Sequence, residues 1–405
     1  MPPMDDPRGD GRGAALKRLR RSHQDTVLAA LARPGGLSRA ELAEHTGLSR
    51  STLYTIVGDL LADGAVLEVP GSAVPGSRGR RATRITANPR GAVRIGLDIG
   101  RSRVHVAFVD TAGRRLATGT RQLPPLPHWN RRTDAAIGLI RKVAADHDLS
   151  AAAPRGIGIG LPGPVHLDER GRILGEDTRI RQLRRVQDRI GEAFGAPTAV
   201  GNNTRYAALG EALWGGARGA ENVLYIRVSD AVGGGIVCQG RLLTGRRGAA
   251  GELGHLVADP AGPPCYCGGS GCLETYTAIP ALLEQCRENG LTVADAADLV
   301  RAVRAEDPAA CRAVTGAADL LGAHLARLAA VFDPDQVIVG GPLAGLDRDF
   351  LARIRSLVRV HCLASVGEPP EVRAAELDDD AGALGAVAAL ERGSEPLSVA
   401  NLQAR

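Results

Sequence analysis

Aromatic residues are scarce in this chain: Phe, Trp and Tyr together make up 3% of its 405 residues. Hydrophobic residues still account for 44%, so the core must be built mainly from aliphatic side chains. The sequence also has no uninterrupted run of about 18 apolar residues and no charged-then-apolar leader with a small-residue cleavage site. These absences predict a cytoplasmic protein with no membrane partner, and the length predicts two or three domains of about 150 residues.

Acidic residues fall short of basic ones in one region only. Residues 1–90 contain 14 Lys and Arg against 9 Asp and Glu, whereas the rest of the chain contains 36 of each. A basic excess confined to one end is typical of a nucleic-acid-binding module, although the segment KRLRR at 17–21 could also be a solvated basic tail. Residues 1–20 and 393–405 lack apolar periodicity, so we expect both to be disordered tails.

The first ninety residues contain the start and stop signals of short helices. Ser38 and Glu41 form a capping box, in which each side chain can bond to the other residue's backbone N–H. Gly47 then supplies a tight turn, because glycine adopts positive φ without strain. Ser49 caps the next helix, which ends at Gly64 and carries one apolar stripe: Leu53, Ile56, Val57, Leu60 and Leu61. With an apolar helix before them, these elements predict a helix-turn-helix.

The exposed face of the last of these helices and the segment after it carry candidate DNA contacts. Short polar groups with one Arg and one Tyr suit phosphates and base edges in a major groove. The alternating stretches 65–69 and 82–86 flank a Gly- and Pro-rich loop, which predicts a β-wing with a basic tip. The candidate DNA-binding residues are Arg39, Ser49, Arg50, Ser51, Thr52, Tyr54, Thr55, Arg78, Arg80 and Arg81. We therefore expect residues 21–90 to form a winged helix-turn-helix; the alternative is a dimerisation module with a flexible linker.

A strand, a Gly-bearing loop and a second alternating strand occur twice, at 94–119 and at 222–245. Two such units about 130 residues apart predict a duplicated α/β lobe whose loops face one cleft. Backbone N–H groups in glycine-rich turns can hold nucleotide phosphates. The alternative for each unit is a plain hairpin.

Cysteine is also sparse, with seven residues, of which Cys238, Cys286, Cys311 and Cys362 are scattered singly. The other three cluster with a histidine in HLVADPAGPPCYCGGSGCLE (255–274), and three thiolates with one imidazole are a tetrahedral zinc set. The alternatives are a redox-active C-x-C pair and three buried thiols. We favour a closed, structural zinc site whose ligands are His255, Cys265, Cys267 and Cys272.

Several segments together resemble the ROK family of repressors and sugar kinases. The most specific is GELGH (251–255) followed by CYCGGSGCLE (265–274). The others are DIGRSR (98–103), GIGIGLPGPV (156–165), GNNTRYAALGE (201–211), DPDQVIVGGPLA (333–344) and DDAGALGA (379–386). The resemblance covers the chain beyond its short N-terminal tail. Members of this family with an N-terminal winged helix-turn-helix are transcription regulators, and those without it are mostly sugar kinases.

The resemblance implies an α/β fold with an actin-like, ribonuclease-H-like body of two lobes behind the winged helix-turn-helix. Lobe 1 would comprise residues 93–210, with the C-terminal helix 377–392 returning to it. Lobe 2 would comprise residues 211–376 and include the zinc motif. The resemblance also implies a homodimer or homotetramer, which suits a palindromic operator of two half-sites.

By position, the resemblance places a sugar against Asn202, Asn203, Glu252, His255 and Glu274. Carboxylates and amides hydrogen-bond vicinal hydroxyls and discriminate against analogues that lack them. His255 would contact both zinc and sugar and so couple the two. The alternative is that Glu252 and Glu274 only support neighbouring groups.

The departures from the family pattern fall where a kinase needs its motifs. Asn203 occupies the position of the aspartate that accepts the proton of the attacking hydroxyl, and a carboxamide cannot take that proton at neutral pH. Arg101 replaces a glycine of the first phosphate loop, and Asp230 brings negative charge to the second. The degenerate phosphate loops contain Asp98, Gly100, Arg101, Ser102, Gly233 and Gly234. ATP binding and catalysis are therefore not expected.

The leading hypothesis is a sugar-responsive DNA-binding regulator of carbohydrate genes, expected to act as a repressor, with no catalytic residue. Its ligand would be a sugar or a sugar phosphate. One alternative is an ATP-dependent sugar kinase with an attached DNA-binding domain. The other is a DNA-binding regulator that uses the ROK body only as a scaffold for oligomerisation or docking.

Overall fold

The structure is a computed structural model. It describes residues 20, 23–24, 26–31, 36–62, 64–70, 83–88, 93–110, 113–124, 128–149, 154–168, 172–361 and 368–390. Both predicted tails, except Arg20, lie outside the described residues, as do Arg78, Arg80 and Arg81 of the predicted wing. Arg20, at the end of the predicted N-terminal tail, instead pairs with Asp59, with Nε donating to Oδ2 at 2.8 Å.

The N-terminal domain combines short helices with a three-stranded antiparallel sheet. Residues 26–30 are helical, and they precede α1 (Arg39–Thr46) and α2 (Arg50–Ala62). The strands are β1 (Leu37–Ser38), β2 (Val66–Pro70) and β3 (Thr83–Ala87), in the order β1-β3-β2. This is the winged helix-turn-helix that the sequence predicts.

Local signals in the sequence explain the turn between the two helices. Ser38 Oγ accepts from the backbone N–H of Glu41 at 3.3 Å, and Glu41 Oε2 accepts from that of Ser38 at 2.7 Å. Gly47 ends α1 at a φ of 66°. The predicted stripe faces the core, except that Leu61 is only half-buried: Leu53, Ile56, Val57 and Leu60 pack with Val27, Leu28 and Leu31.

The described residues from 93 onward form two five-stranded sheets built to one plan. In each sheet an antiparallel hairpin or meander is followed by two parallel strands. The first sheet contains β4 (Arg94–Ile99), β5 (Arg103–Val109), β6 (Arg115–Gln122), β7 (Gly156–Leu161) and β8 (Thr198–Asn202), in the order β6-β5-β4-β7-β8. The second contains β9 (Val223–Val228), β10 (Val232–Cys238), β11 (Arg241–Leu242), β12 (Gln336–Gly340) and β13 (Glu371–Ala374), in the order β11-β10-β9-β12-β13. The repeated unit is therefore a duplicated α/β lobe.

Helices cover the sheets and build separate cores. The first sheet packs against α3 (Trp129–Asp146) and α4 (Thr178–Phe194). Helix α5 (Asn203–Trp214) contributes to another core, together with Tyr225 of the second sheet. After the short α6 (Glu274–Thr277), the second core includes residues of α7 (Ile279–Glu288), α8 (Ala296–Arg304), α9 (Pro308–Phe332) and α10 (Ala352–His361).

Helix α9 is long and apolar enough to cross a membrane by length and composition alone. Half of its most apolar stretch is buried, and residues such as Leu321 and Leu325 belong to the second core. Arg312, Asp319 and Arg327 interrupt its apolar sequence. The helix is therefore a core element of this lobe.

The C-terminal helix α11 (Asp380–Ala389) packs on α5 and on β4 and β7. Small residues make this close approach possible. A Cβ at Gly96 would lie 1.8 Å from the carbonyl oxygen of Ala383, and a Cβ at Gly385 would lie 1.7 Å from that of Tyr206. The C-terminal helix therefore lies against the first sheet and α5.

Candidate functional site

A cleft of about 370 Å³ lies where the β4–β5 loop (residues 100–102) and the β9–β10 loop (residues 229–231) meet the start of α5. Its lining includes eight of the predicted site residues: Asp98, Gly100, Arg101, Ser102, Asn202, Asn203, Gly233 and Glu252. Gly234, His255 and Glu274 are not part of this lining. Glu274 is buried beside it, where Oε2 accepts from the backbone N–H of Val232 at 2.8 Å. The cleft therefore brings together most of the predicted sugar-binding and phosphate-loop residues, which make up about a third of its lining.

Asn203 is the first residue of α5 and contacts a buried carboxylate. Its Nδ2 donates to Asp98 Oδ1 at 2.8 Å, and Asp98 is only 5% exposed. Arg103 lies 3.6 Å from the other oxygen of Asp98. The amide thus satisfies Asp98, whereas an aspartate here would place two carboxylates in contact. Asn203 can hydrogen-bond a hydroxyl but cannot act as a general base.

Asn202 caps α5 and is held by the backbone. Its Oδ1 accepts from the N–H of Arg205 at 2.9 Å, and its Nδ2 donates to the carbonyl of Gly163 at 3.0 Å. An amide nitrogen has two hydrogens, so one remains for a ligand. Asn202, which the sequence predicts to bind the sugar, therefore also caps the helix that begins with Asn203.

Glu252 is half-buried near two arginines that sequence reasoning missed. Burial raises the pKa of the Glu252 carboxyl, while the charges of Arg205 and Arg179 oppose that shift. Arg179 donates to the carbonyls of Pro162 and Pro164, each at 2.9 Å, and so holds the loop after β7 beside the cleft. Arg205 lies in the first turn of α5, and its burial beside Glu252 is a tertiary feature that the sequence does not show.

The β4–β5 loop and the β9–β10 loop contact each other across the cleft. Ser102 Oγ donates to Asp230 Oδ2 at 2.5 Å, and the guanidinium of Arg101 lies 4.8 Å from the ring centroid of Tyr266. The Tyr266 hydroxyl in turn lies 3.2 Å from His255 Nε2. Tyr266 was not predicted, although an aromatic residue between two cysteines stands out in a chain with so few aromatics.

Gly233 and Gly234, predicted to lie in the second phosphate loop, lie in strand β10, where close packing accounts for them. A Cβ at Gly233 would lie 2.6 Å from Thr204 Oγ1, and a Cβ at Gly234 would lie 2.4 Å from Leu253 Cγ. These glycines let β10 approach α5 and the turn at 253–255. Their presence is therefore explained without a bound phosphate.

The four predicted metal ligands converge. Their ligand atoms all lie within 4.8 Å of one another. Cys267 Sγ lies 3.6 Å from Cys272 Sγ, and Cys265 Sγ lies 3.6 Å from His255 Nδ1. A tetrahedral zinc site with Zn–S bonds of about 2.3 Å has S···S edges of roughly 3.8 Å, so this donor set fits zinc. His255 can use Nδ1 for the metal while Nε2 faces Tyr266.

The thiols of the cluster differ in how readily they ionise. Burial raises the pKa of Cys272 to about 12, whereas a hydrogen bond from the backbone of Gly269 lowers that of Cys267. Metal ligation requires the thiolate, so a bound metal would displace the Cys272 proton.

The polar face of α2 is exposed to solvent and accessible to DNA. Ser49, Arg50, Ser51, Tyr54 and Thr55 are exposed, and Thr52 is half-buried. Ser49 Oγ accepts from the backbone N–H of Thr52 at 3.2 Å and so caps the helix. Arg39 pairs with Glu68 at 2.7 Å and lies 5.7 Å from the ring centroid of Tyr54. This arrangement holds Arg39 and Tyr54 side by side on one surface.

Comparison with known proteins identifies both parts of the chain. The ROK family profile matches residues 94–392, and a profile described as winged helix-turn-helix DNA-binding matches residues 26–66. The chain therefore belongs to the ROK family and carries a winged helix-turn-helix domain before its ROK body.

Its relatives include repressors and a kinase. The chain is 27% identical over 370 residues to the xylose repressor of Bacillus subtilis (strain 168), covering 91% of this chain and 94% of the repressor. It is 31% identical over 313 residues to a glucokinase of Halalkalibacterium halodurans, covering 72% of this chain and 92% of the glucokinase. A solved ROK family transcriptional regulator, a homologue of the Escherichia coli MLC protein, has a TM-score of 0.68 at 24% identity, covering 91% of this chain and 95% of the regulator. Coverage of 91% exceeds the ROK segment, so the likenesses to the repressor and the regulator extend into the N-terminal domain.

Proposed function

We propose that this protein is a sugar-responsive, DNA-binding transcription regulator that has lost sugar-kinase catalysis. The N-terminal domain would bind an operator through α2, and the cleft would bind a sugar through Asn202, Asn203, Glu252, His255 and Glu274. A sugar changes DNA affinity only if it binds two conformations of the protein differently. The mode we propose is repression that the sugar relieves; the name of the xylose repressor supports the repression.

The contact between Asn203 and Asp98 is the observation that carries the loss of catalysis. Phosphoryl transfer needs a group that orients the hydroxyl nucleophile and accepts its proton. Here that position holds an amide that already donates to a buried carboxylate. The Ser102–Asp230 hydrogen bond also joins the two loops that would have to surround phosphates.

The cofactor and partners follow from the same geometry. Zinc would be structural, because the cluster offers four ligands and therefore a closed tetrahedron. A helix-turn-helix that reads two half-sites acts as a dimer, so we propose a homodimer or homotetramer on palindromic DNA. A regulator of this kind would work in the cytoplasm, where its DNA and sugar are found.

The test of this proposal is a DNA-binding titration. The purified protein is titrated onto the DNA upstream of its own gene at fixed salt, with and without a panel of sugars and sugar phosphates. We expect at least one member of the panel to change the affinity. DNA binding that no member changes would favour the scaffold alternative.

Replacing Glu252 by Gln is expected to weaken the effective sugar at least about 10-fold, because a carboxylate that accepts from a hydroxyl forms a charge-assisted hydrogen bond. Calorimetric titration of the sugar measures the loss. Glu192→Gln, which removes a carboxylate from the solvent-facing side of α4, is the matched control and should bind as the parent does. Equal affinities for all three proteins would remove Glu252 from the site.

A kinase with an attached DNA-binding domain is the second candidate, favoured by the 31% identity to a glucokinase. The test compares the parent protein with Asn203→Asp. That change puts a carboxylate against Asp98 and leaves Arg101 and Asp230 in place, so we expect neither variant nor parent to turn over at about 1–10³ s⁻¹. Phosphosugar formation from ATP is followed by ³¹P NMR. Turnover of the parent protein at such rates would replace the regulator proposal with the kinase.

A further inference from the structure

A second, smaller cavity of about 260 Å³ lies next to the cleft. We call it the small cavity. The loop after β7 and the segment after β11 contribute to its walls, and its polar lining is His166, Asp168, Asn202, Arg205, Tyr206 and Thr244. Asn202 lines both this cavity and the cleft. Asn202 is therefore placed to contact a ligand group in either cavity.

Arg205 is a buried cation that lines this cavity, and only one of its side-chain nitrogens donates to a described residue. It is only 3% exposed. Its Nη1 donates to the carbonyls of Gly248 and Ala250, the latter at 3.1 Å. Within the described part of the chain, Nε and Nη2 make no hydrogen bond and Arg205 has no ion pair. Neither nitrogen is sealed away from solvent, so both remain open to a ligand in the cavity that Arg205 lines.

The carboxylates near Arg205 do not fully compensate its charge. Glu252 attracts the guanidinium, yet burial still lowers the pKa of Arg205 from its ordinary value. Asp168, the carboxylate that lines the small cavity, accepts from the backbone N–H of Arg172 at 2.9 Å and from its Nε at 2.7 Å. Because the charge of Asp168 is paired with Arg172, it does not neutralise Arg205, and the cavity favours an anion. A buried guanidinium is stabilised when an oxygen anion takes its free donors.

We propose that the small cavity is an oxyanion site that binds a phosphate group through Nε and Nη2 of Arg205. The planar fork of an arginine matches two oxygens of a phosphate. The cavity is smaller than the roughly 300–1,000 Å³ of pockets that hold larger ligands, which favours a compact group over a second sugar ring. The phosphate is either free or the substituent of a sugar whose ring occupies the cleft. The second source rests on the sugar site proposed above, whereas the first does not.

The test is binding of inorganic phosphate to the full-length, zinc-loaded protein, measured by calorimetry at constant ionic strength in chloride. Arg205→Gln is expected to weaken phosphate at least about 10-fold, since it removes a charged hydrogen-bond donor. The matched control is Arg246→Gln, which removes the same charge from an exposed position on the neighbouring loop and should bind as the parent does. Equal binding by the Arg205→Gln and parent proteins, equal losses in both variants, or no phosphate binding at all would overturn the proposal.

Arg205 also anchors two carbonyls, so a second pair of variants tests the site without that anchor. Thr244 is exposed at the edge of the cavity. Thr244→Glu adds a repelling carboxylate and is expected to weaken phosphate at least about 10-fold relative to the neutral Thr244→Gln. Equal phosphate affinity in this pair would also overturn the proposal.

Sugar phosphates distinguish the two sources. If the phosphate belongs to the effector, the Arg205→Gln change weakens the effective sugar phosphate but not the corresponding free sugar. If the anion is free, phosphate and sugar bind independently of each other. A sugar response of DNA binding that persists while phosphate fails to bind would leave the proposed function standing and remove only the oxyanion site.

Discussion

Cys272→Ser is expected to abolish zinc binding and, with it, the sugar response. A hydroxyl cannot replace the thiolate of a tetrahedral site, and structural zinc supplies apparent binding free energies of about 10–16 kcal/mol in zinc-finger peptides. Cys272 pairs with Val257 in an isolated antiparallel bridge and lies two residues before Glu274. Glu274 in turn holds the N–H of Val232, which lines the cleft. Loss of the metal should therefore loosen the cleft itself.

The measurements are the zinc content by mass spectrometry, Tm, and sugar affinity by calorimetry. We expect zinc at background level, a lower Tm, and sugar affinity reduced by about 10- to 100-fold, the range that supporting groups at metal sites contribute. Cys238→Ser is the matched control, because Cys238 is a half-buried thiol of β10 outside the cluster. A folded, zinc-free Cys272→Ser protein with the full sugar response would show that the cluster does not support the cleft.

Arg50→Ala is expected to cost about 1–3 kcal/mol of DNA-binding free energy, or roughly 5- to 150-fold in affinity. Arg50 is the first residue of α2, is exposed, and makes no side-chain hydrogen bond or ion pair to a described residue. Its charge is therefore available to a phosphate or a guanine edge. A phosphate contact would lower the salt slope of binding by about one and weaken all sequences alike, whereas a base contact would relax specificity at one position.

Fluorescence anisotropy with operator DNA and with unrelated DNA, each over a salt series, measures both effects. Arg218→Ala removes an equal charge from an exposed position on the ROK body and serves as the control. Losses of the same size in both variants would mean that net charge, and not the recognition helix, decides DNA binding.

Local patterns explain what the sequence predicted well. The capping box at Ser38 and Glu41, the turn at Gly47 and the stripe on α2 depend on neighbours within one or two helical turns, so their spacing is sufficient. The metal cluster behaves in the same way, because three of its ligands lie within eight residues, Cys265 to Cys272. The family resemblance, and no local pattern, predicted that Asn203 and Glu252 lie at one cleft.

Long-range contacts explain what the sequence did not predict. The Ser102–Asp230 hydrogen bond joins residues 128 positions apart, and the Asn203–Asp98 contact joins residues 105 positions apart. Both depend on how the two sheets face each other. Arg205 was overlooked because an arginine in a helix is usually solvated, and only the tertiary structure reveals that it is buried beside the cleft.

Reciprocal linkage between sugar and DNA is the sharpest test of a sugar-responsive regulator. The affinity of the effective sugar is measured by calorimetry for the free protein and for the same protein bound to its operator at the same salt. We expect DNA to change the sugar affinity by the same factor by which the sugar changes the DNA affinity, because the two sites share one conformational equilibrium. Equal sugar affinities with and without DNA would contradict it, since a ligand indifferent to the bound operator cannot regulate its release.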